Sequence, residues 1–227
     1  RRLAKGRRCV AADRTRAQGG QSLLAPGELR EFDPGPHWRL LRAASISSSG
    51  APMTTELLAP TAVQLGDGAA IEVTVHLASK AVLREIRHTF PFLEKDHKVS
   101  VIATCQHAAL DLVEWGERAD FEKDKLLERF MVFAKPLCEQ LALKGYFADY
   151  IDPCSGLPMV SKDCNKVYDE VASMHMVLGY SVQNAGCCKI LLHPRWGAAV
   201  YPASIFTDAP IDIIKDLLPK RAAASDA

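Results

Sequence analysis

No stretch of this 227-residue chain approaches the run of roughly 18 apolar residues that would argue for a membrane-spanning helix, and none has the unbroken apolar core of a secretory signal. Charge of one sign is also lacking. Lys and Arg number 28 against 27 Asp and Glu, a net charge of +1, so the chain as a whole offers no basic face for nucleic acid. The common enzyme signatures are missing too. There is no P-loop, GxGxxG, HExxH, GxSxG or EF-hand loop, which removes the easy classes without excluding an enzyme. No CxxC pair and no Asn-x-Ser/Thr acceptor occurs, and the seven cysteines (Cys9, Cys105, Cys138, Cys154, Cys164, Cys187, Cys188) form an odd set. A disulfide scaffold is therefore not expected, and free thiols in a reducing compartment are.

What is present is a globular composition, 48% hydrophobic and 24% charged, sufficient for one proper core. The charge is unevenly spread. Residues 1–50 hold ten Lys and Arg against Asp13, Glu28, Glu31 and Asp33. The segment is thus Arg-rich and acid-poor, as in the rear of a mitochondrial-type targeting segment or a disordered basic tail. The chain starts at Arg1, and Met53 is a candidate internal start. Composition divides the chain into a basic targeting segment and linker over 1–67, an α+β domain over 68–220 and a disordered tail over 221–227.

Within 68–220 the apolar period changes repeatedly. Ile71, Val73, Val75 and Leu77 alternate with Glu72, Thr74 and His76 as in a half-buried strand. Ser79 is placed to cap a helix carrying Val82, Leu83, Ile86 and Phe90, and Val99–Ala103 reads as a second strand. Asp120–Lys144 has helical spacing with Pro136 predicted to kink it, and Glu117–Lys125 reads as its solvated start. Tyr146–Ile151 reads as a strand that turns at Asp152–Gly156, and 159–172 as irregular. Two further strands, Cys187–His193 and Ala198–Phe206, join at a turn over Pro194–Gly197. A last helix falls near Ile211–Leu218. The predicted class is α+β with much antiparallel pairing.

The distinctive local sequence is Asn184-Ala185-Gly186-Cys187-Cys188-Lys189. Strand parity separates the two cysteines. Cys187 shares a face with Lys189, Leu191 and His193, two of them potential cations that would favour a thiolate, whereas Cys188 shares one with Ile190 and Leu192. The competing reading makes both small buried hydrophobes. Cys105 with His107, His107 with Asp111, and a cleft of Trp115, Tyr146, Phe147, Tyr150 and Trp196 are further candidates.

The segment Gly145–Leu157 (GYFADYIDPCSGL) resembles the cobalamin-trafficking CblD family, also called MMADHC. So do Leu178–Val182, Gly186–Lys189, Trp196-Gly197 and Ser204–Thr207, with fainter similarity upstream to Ile71. Pro136, Ala185 and the stretch Met159–Met176 depart from the family pattern. The resemblance implies a nitroreductase-like (flavin-reductase-like) α+β fold with a largely antiparallel sheet, flanking helices and no flavin. It implies a non-catalytic adaptor of cobalamin metabolism, bound to a CblC-like (MMACHC-family) protein in cytoplasm and mitochondrion. Cobalamin, shared with that partner, is directed to methionine synthase as methylcobalamin and to methylmalonyl-CoA mutase as adenosylcobalamin. Within the family pattern Cys187 is the cobalt ligand and Gly186, Cys188 and Lys189 form its loop. His193 is our candidate for tuning the thiol. Proteins of the methionine synthase pathway and a second copy of the chain are further candidate partners; nucleic acid and membrane are not. The alternative is a thiol- or flavin-dependent reductase on the same scaffold.

Overall fold

The computed structural model describes residues 52–114, 116–185 and 188–219. The predicted targeting segment and the tail fall largely outside them. Among the described residues, seven strands and four helices follow one another. Their order is β1 (Thr55–Gln64), β2 (Ala70–Leu77), α1 (Lys80–Thr89), β3 (Ser100–His107), α2 (Glu117–Leu143), β4 (Ala148–Tyr150), α3 (Glu170–Leu178), β5 (Ser181–Ala185), β6 (Cys188–Leu192), β7 (Val200–Thr207) and α4 (Ile211–Leu217). Five strands form one antiparallel sheet in the order β1-β2-β3-β7-β4, and β5 and β6 form a separate hairpin. The class is α+β, as expected. Strand β1 lies in the stretch read as linker, so the sheet begins before residue 68. Pro60 and two irregularities of register mask its alternation.

Period-2 alternation assigns the layers. Ile71, Val73, Val75, Ile102, Ala203 and Ile205 meet Phe130, Phe133, Leu137 and Leu141 of α2 and Ile214 of α4. Val101, Ala103 and Phe206 point the other way, against Val82, Ile86 and Phe90 beside α1 and Met174 and Val177 of α3. The Ser79 hydroxyl accepts from the Val82 N–H and caps α1 as expected. Helix α2 runs without interruption through Pro136. The ring leaves the Val132 carbonyl without its i+4 donor, at an exposed position of the helix. The expected solvated start of α2 is corrected at Glu122. Its carboxylate is buried and accepts the Ala109 N–H at 2.9 Å, holding the β3–α2 loop.

The FADYIDP segment is organised by Asp149, whose side chain is fully buried. One oxygen accepts N–H groups of Tyr150, Met159 and Val160 at 2.8–3.1 Å, and the other accepts that of Ser161 at 2.7 Å. Four backbone donors thus replace water around one carboxylate. The Asp152 carboxylate caps the next turn by accepting from the N–H groups of Cys154 and Ser155 and from the Ser155 hydroxyl. Gly156 closes it at φ +71°, where an added Cβ would come within 2.6 Å of the Val167 side chain. The irregular reading of 159–172 holds up to Asp169. There the side chain accepts the Ala172 N–H and starts α3.

Candidate functional site

The β5–β6 hairpin carries the Gly-Cys-Cys sequence at its tip. Asn184 pairs with Lys189 and Ala185 with Cys188, and the predicted ligand Cys187 and its neighbour Gly186 lie outside the described residues. Helix α3 launches the hairpin. Gly179, at φ 70°, ends the helix in the left-handed region with its N–H on the His175 carbonyl. The His175 ring then donates from Nδ1 to the Tyr180 carbonyl at 2.6 Å, which sets the direction of β5.

The other end of the hairpin is tied to the main sheet. Leu191 and His193 are both buried, as their shared parity requires, whereas Lys189 on the same parity is exposed. His193 Nε2 lies 2.9 Å from one oxygen of Glu72 on β2, and the Arg195 guanidinium binds the other. His193 Nδ1 accepts the backbone N–H of Arg195 at 3.2 Å. These two contacts assign the tautomer: Nε2 carries the proton and donates it to Glu72, and the Nδ1 lone pair is occupied. Burial pushes the His193 pKa down, opposed by Glu72, so the ring is neutral at neutral pH. Trp196 stacks on it at 3.9 Å between ring centres, Tyr180 meets it edge-on, and exposed His107 stacks on Trp196 at 5.2 Å.

This arrangement gives His193 a structural role, while the thiol it is predicted to tune, Cys187, lies outside the described residues. The polar atoms of His193 are committed to Glu72 and the 193–197 turn. It anchors the hairpin. Lys189 remains the cation near the tip.

Between β6, the start of β7 and the first turn of α3 lies a cleft of about 250 Å³, lined by Lys123, Lys189, Leu191 and Tyr201 with Glu170 at its edge. Glu170 accepts the Ser204 hydroxyl at 2.7 Å with one oxygen, and its other oxygen is buried without a protein partner. Desolvation pushes its pKa up to about 7, countered in part by Ser204. Cys105 lies behind the same face, opposite Glu72 in the sheet register. Burial, then the nearby Glu72 and Glu170 carboxylates, raise its pKa far above the range of a reactive thiol.

The remaining candidates do not converge. Among the described residues no three His, Cys, Asp or Glu side chains are placed to hold a metal ion, and Cys105 and His107 are separated by burial of the first and exposure of the second. Asp111 accepts the Val113 N–H in a turn. Phe147 packs against Phe90 and Phe92 and Tyr150 against Phe130, so these aromatics serve the cores, while Trp115 lies outside the described residues. Cys105, Cys138 and Cys164 are free thiols, as expected. Cys154 departs from that expectation and is disulfide-bonded. Nothing in the sequence pattern singles out Glu72, Asp149 or Glu170. Glu72 sits on the polar face of β2, which alternation assigns to water, yet Glu72, Thr74 and His76 are all buried.

The family described as methylmalonic aciduria and homocystinuria type D protein matches residues 48–218. Cobalamin trafficking protein CblD of Rattus norvegicus is 33% identical over 167 residues, covering 74% of this chain and 55% of the relative. The protein of that name from Homo sapiens is 33% identical over 146 residues, covering 64% and 49%. The one from Gallus gallus is 30% identical over 204 residues, covering 89% and 68%. The chain spans about half the length of the mammalian relatives it matches.

Proposed function

The chain belongs to the methylmalonic aciduria and homocystinuria type D protein family, and on that premise we propose that it is a non-catalytic adaptor in cobalamin trafficking. It binds a CblC-like protein that carries the corrin, and it directs this cargo towards methionine synthase and methylmalonyl-CoA mutase, in cytoplasm and mitochondrion. The Cys187 thiolate is the cobalt ligand, a soft donor suited to an open axial position. Gly186, Cys188 and Lys189 form the surrounding loop. The scaffold is nitroreductase-like and carries no flavin.

The observation that carries this reading is that the family match runs through the whole hairpin, from Ser181 to Leu192. The local chemistry supports it. The buried histidine beside a carboxylate at the hairpin root has no lone pair free to act as a base, and Cys105 is held as a thiol. The hairpin, held at both ends by these contacts, is suited to presenting a ligand.

The test is an ultraviolet–visible titration of a cobalamin-loaded CblC-like protein with this chain, reduced beforehand, beside Cys187→Ser. A change in the cobalt bands that needs Cys187 is expected. An equal change with both proteins would remove Cys187 from the role, and no association with the loaded partner would remove the adaptor reading. Purified protein that is yellow with flavin absorption would favour a reductase instead.

A further inference from the structure

Four large apolar side chains on the inner face of α2, Phe130, Phe133, Leu137 and Leu141, pack the helix on the sheet. Leu126 adds a fifth, against Ala108 and Tyr201. The outer face carries a second apolar set. Among the described residues the exposed large hydrophobics are Met53, Phe92, Phe121, Val132, Leu143, Val160 and Val167, and only Phe121, Val132 and Leu143 belong to a helix or strand, all three to α2. They are 72%, 63% and 87% exposed.

Phe121, Val132 and Leu143 are spaced eleven residues apart, three helical turns, which keeps them on one line. At about 100° per residue, Lys125 and Glu139 fall within about 20° of the same line. The order along this line is therefore Phe121, Lys125, Val132, Glu139, Leu143, with exposed Glu128, Lys135 and Pro136 flanking Val132. It is symmetric about Val132 in position and opposite in charge.

We propose that this face of α2 pairs antiparallel with α2 of a second copy of the chain, about a twofold axis through Val132. That operation sets Phe121 against Leu143 of the other copy and Lys125 against Glu139, twice each, with the two Val132 side chains at the axis. An isologous contact demands such self-complementarity, and a partner of unrelated sequence does not. Lys125 is free to turn outward, since its side chain is 42% exposed and its contact with Glu122 is long, at 3.5 Å. An eleven-residue apolar repeat also favours a slight right-handed wrap, which keeps the end layers in contact. One helix pair lies at the small end of specific interfaces, so the dimer is reversible, with a dissociation constant of roughly 10–100 µM. This inference does not depend on the function proposed above.

The test is sedimentation equilibrium of the full chain under reducing conditions, from about 5 to 500 µM, a range that brackets the expected constant. The wild type is expected to pass from monomer to dimer. Val132→Asp, which sets two carboxylates face to face on the axis, should stay monomeric with an unchanged circular dichroism spectrum and melting temperature. Glu139→Lys, at an exposed position, should weaken association by about tenfold, and adding Lys125→Glu should recover most of it. A wild type that stays monomeric throughout, or a dimer that persists in Val132→Asp, would overturn the proposal. Weaker binding of Val132→Asp to the CblC-like protein, beside a monomeric wild type, would overturn it in favour of that partner.

Discussion

Glu72 and His193 meet at 2.9 Å across 121 residues of sequence, and this contact fastens the root of the β5–β6 hairpin to the second strand of the main sheet. His193→Ala leaves a buried carboxylate with Arg195 alone and removes a ring stacked on Trp196. A loss of about 2–4 kcal/mol is expected in urea unfolding. The pH dependence follows from the lowered pKa of His193. The unfolded chain takes up a proton near pH 6.5 and the folded chain does so only at lower pH. Stability therefore falls as pH drops below about 6.5, and the variant should lose part of that slope. An unchanged slope would mean that His193 is not buried as a neutral ring.

Glu170 has the opposite sign. Its pKa is raised from 4.5 to about 7, so between those values the folded state holds a proton that the unfolded state has released. Its contribution is lost as pH rises through that window. Glu170→Gln should be neutral at pH 4.5 and more stable than wild type by about 1–2 kcal/mol at pH 8. Equal stability of the two proteins at both pH values would place the carboxyl in water.

Asp149 accepts four backbone N–H groups. Asn in its place keeps one acceptor oxygen and turns an amide N–H₂ towards a backbone donor. Asp149→Asn should cost about 2–4 kcal/mol and loosen residues 157–161. Faster amide exchange confined to Met159–Ser161 would be the local signature, and unaltered exchange there would count against the role.

The thiols should separate by burial. Cys105 and Cys138 have thiolates strongly disfavoured by desolvation and by neighbouring carboxylates, so at pH 8 they should resist an aromatic disulfide reagent until the chain unfolds. Cys164 is partly exposed and should react in the folded protein. Peptide mapping after timed labelling distinguishes these sites, and rapid native labelling of Cys105 would contradict its placement.

Much of the scaffold was legible because local rules and tertiary packing agree. The alternation at Ile71–Leu77, the Ser79 cap, the long apolar period of α2 and the turn at Asp152–Gly156 each depend on neighbours within a few residues. Strand β1 was not legible, because Pro60 and two shifts of register hide its period. Helix α3 escaped for a related reason: it is apolar on more than one face, so no amphipathic stripe marks it.

The candidate site divides along the same line. Sequence alone determined the Gly-Cys-Cys motif and the family to which it points, since both are properties of adjacent positions, whereas the pairing of β6 with β5 rather than with β7 was decided by the tertiary structure. Tertiary structure alone decided what His193, Glu72 and Glu170 do. A polar residue on an alternating strand looks solvent-facing until another element covers it. Only the folding of His193 and Arg195 against β2 turned Glu72 from a surface carboxylate into a buried, partnered one, because burial removes water and obliges each polar group to find its partner within the protein.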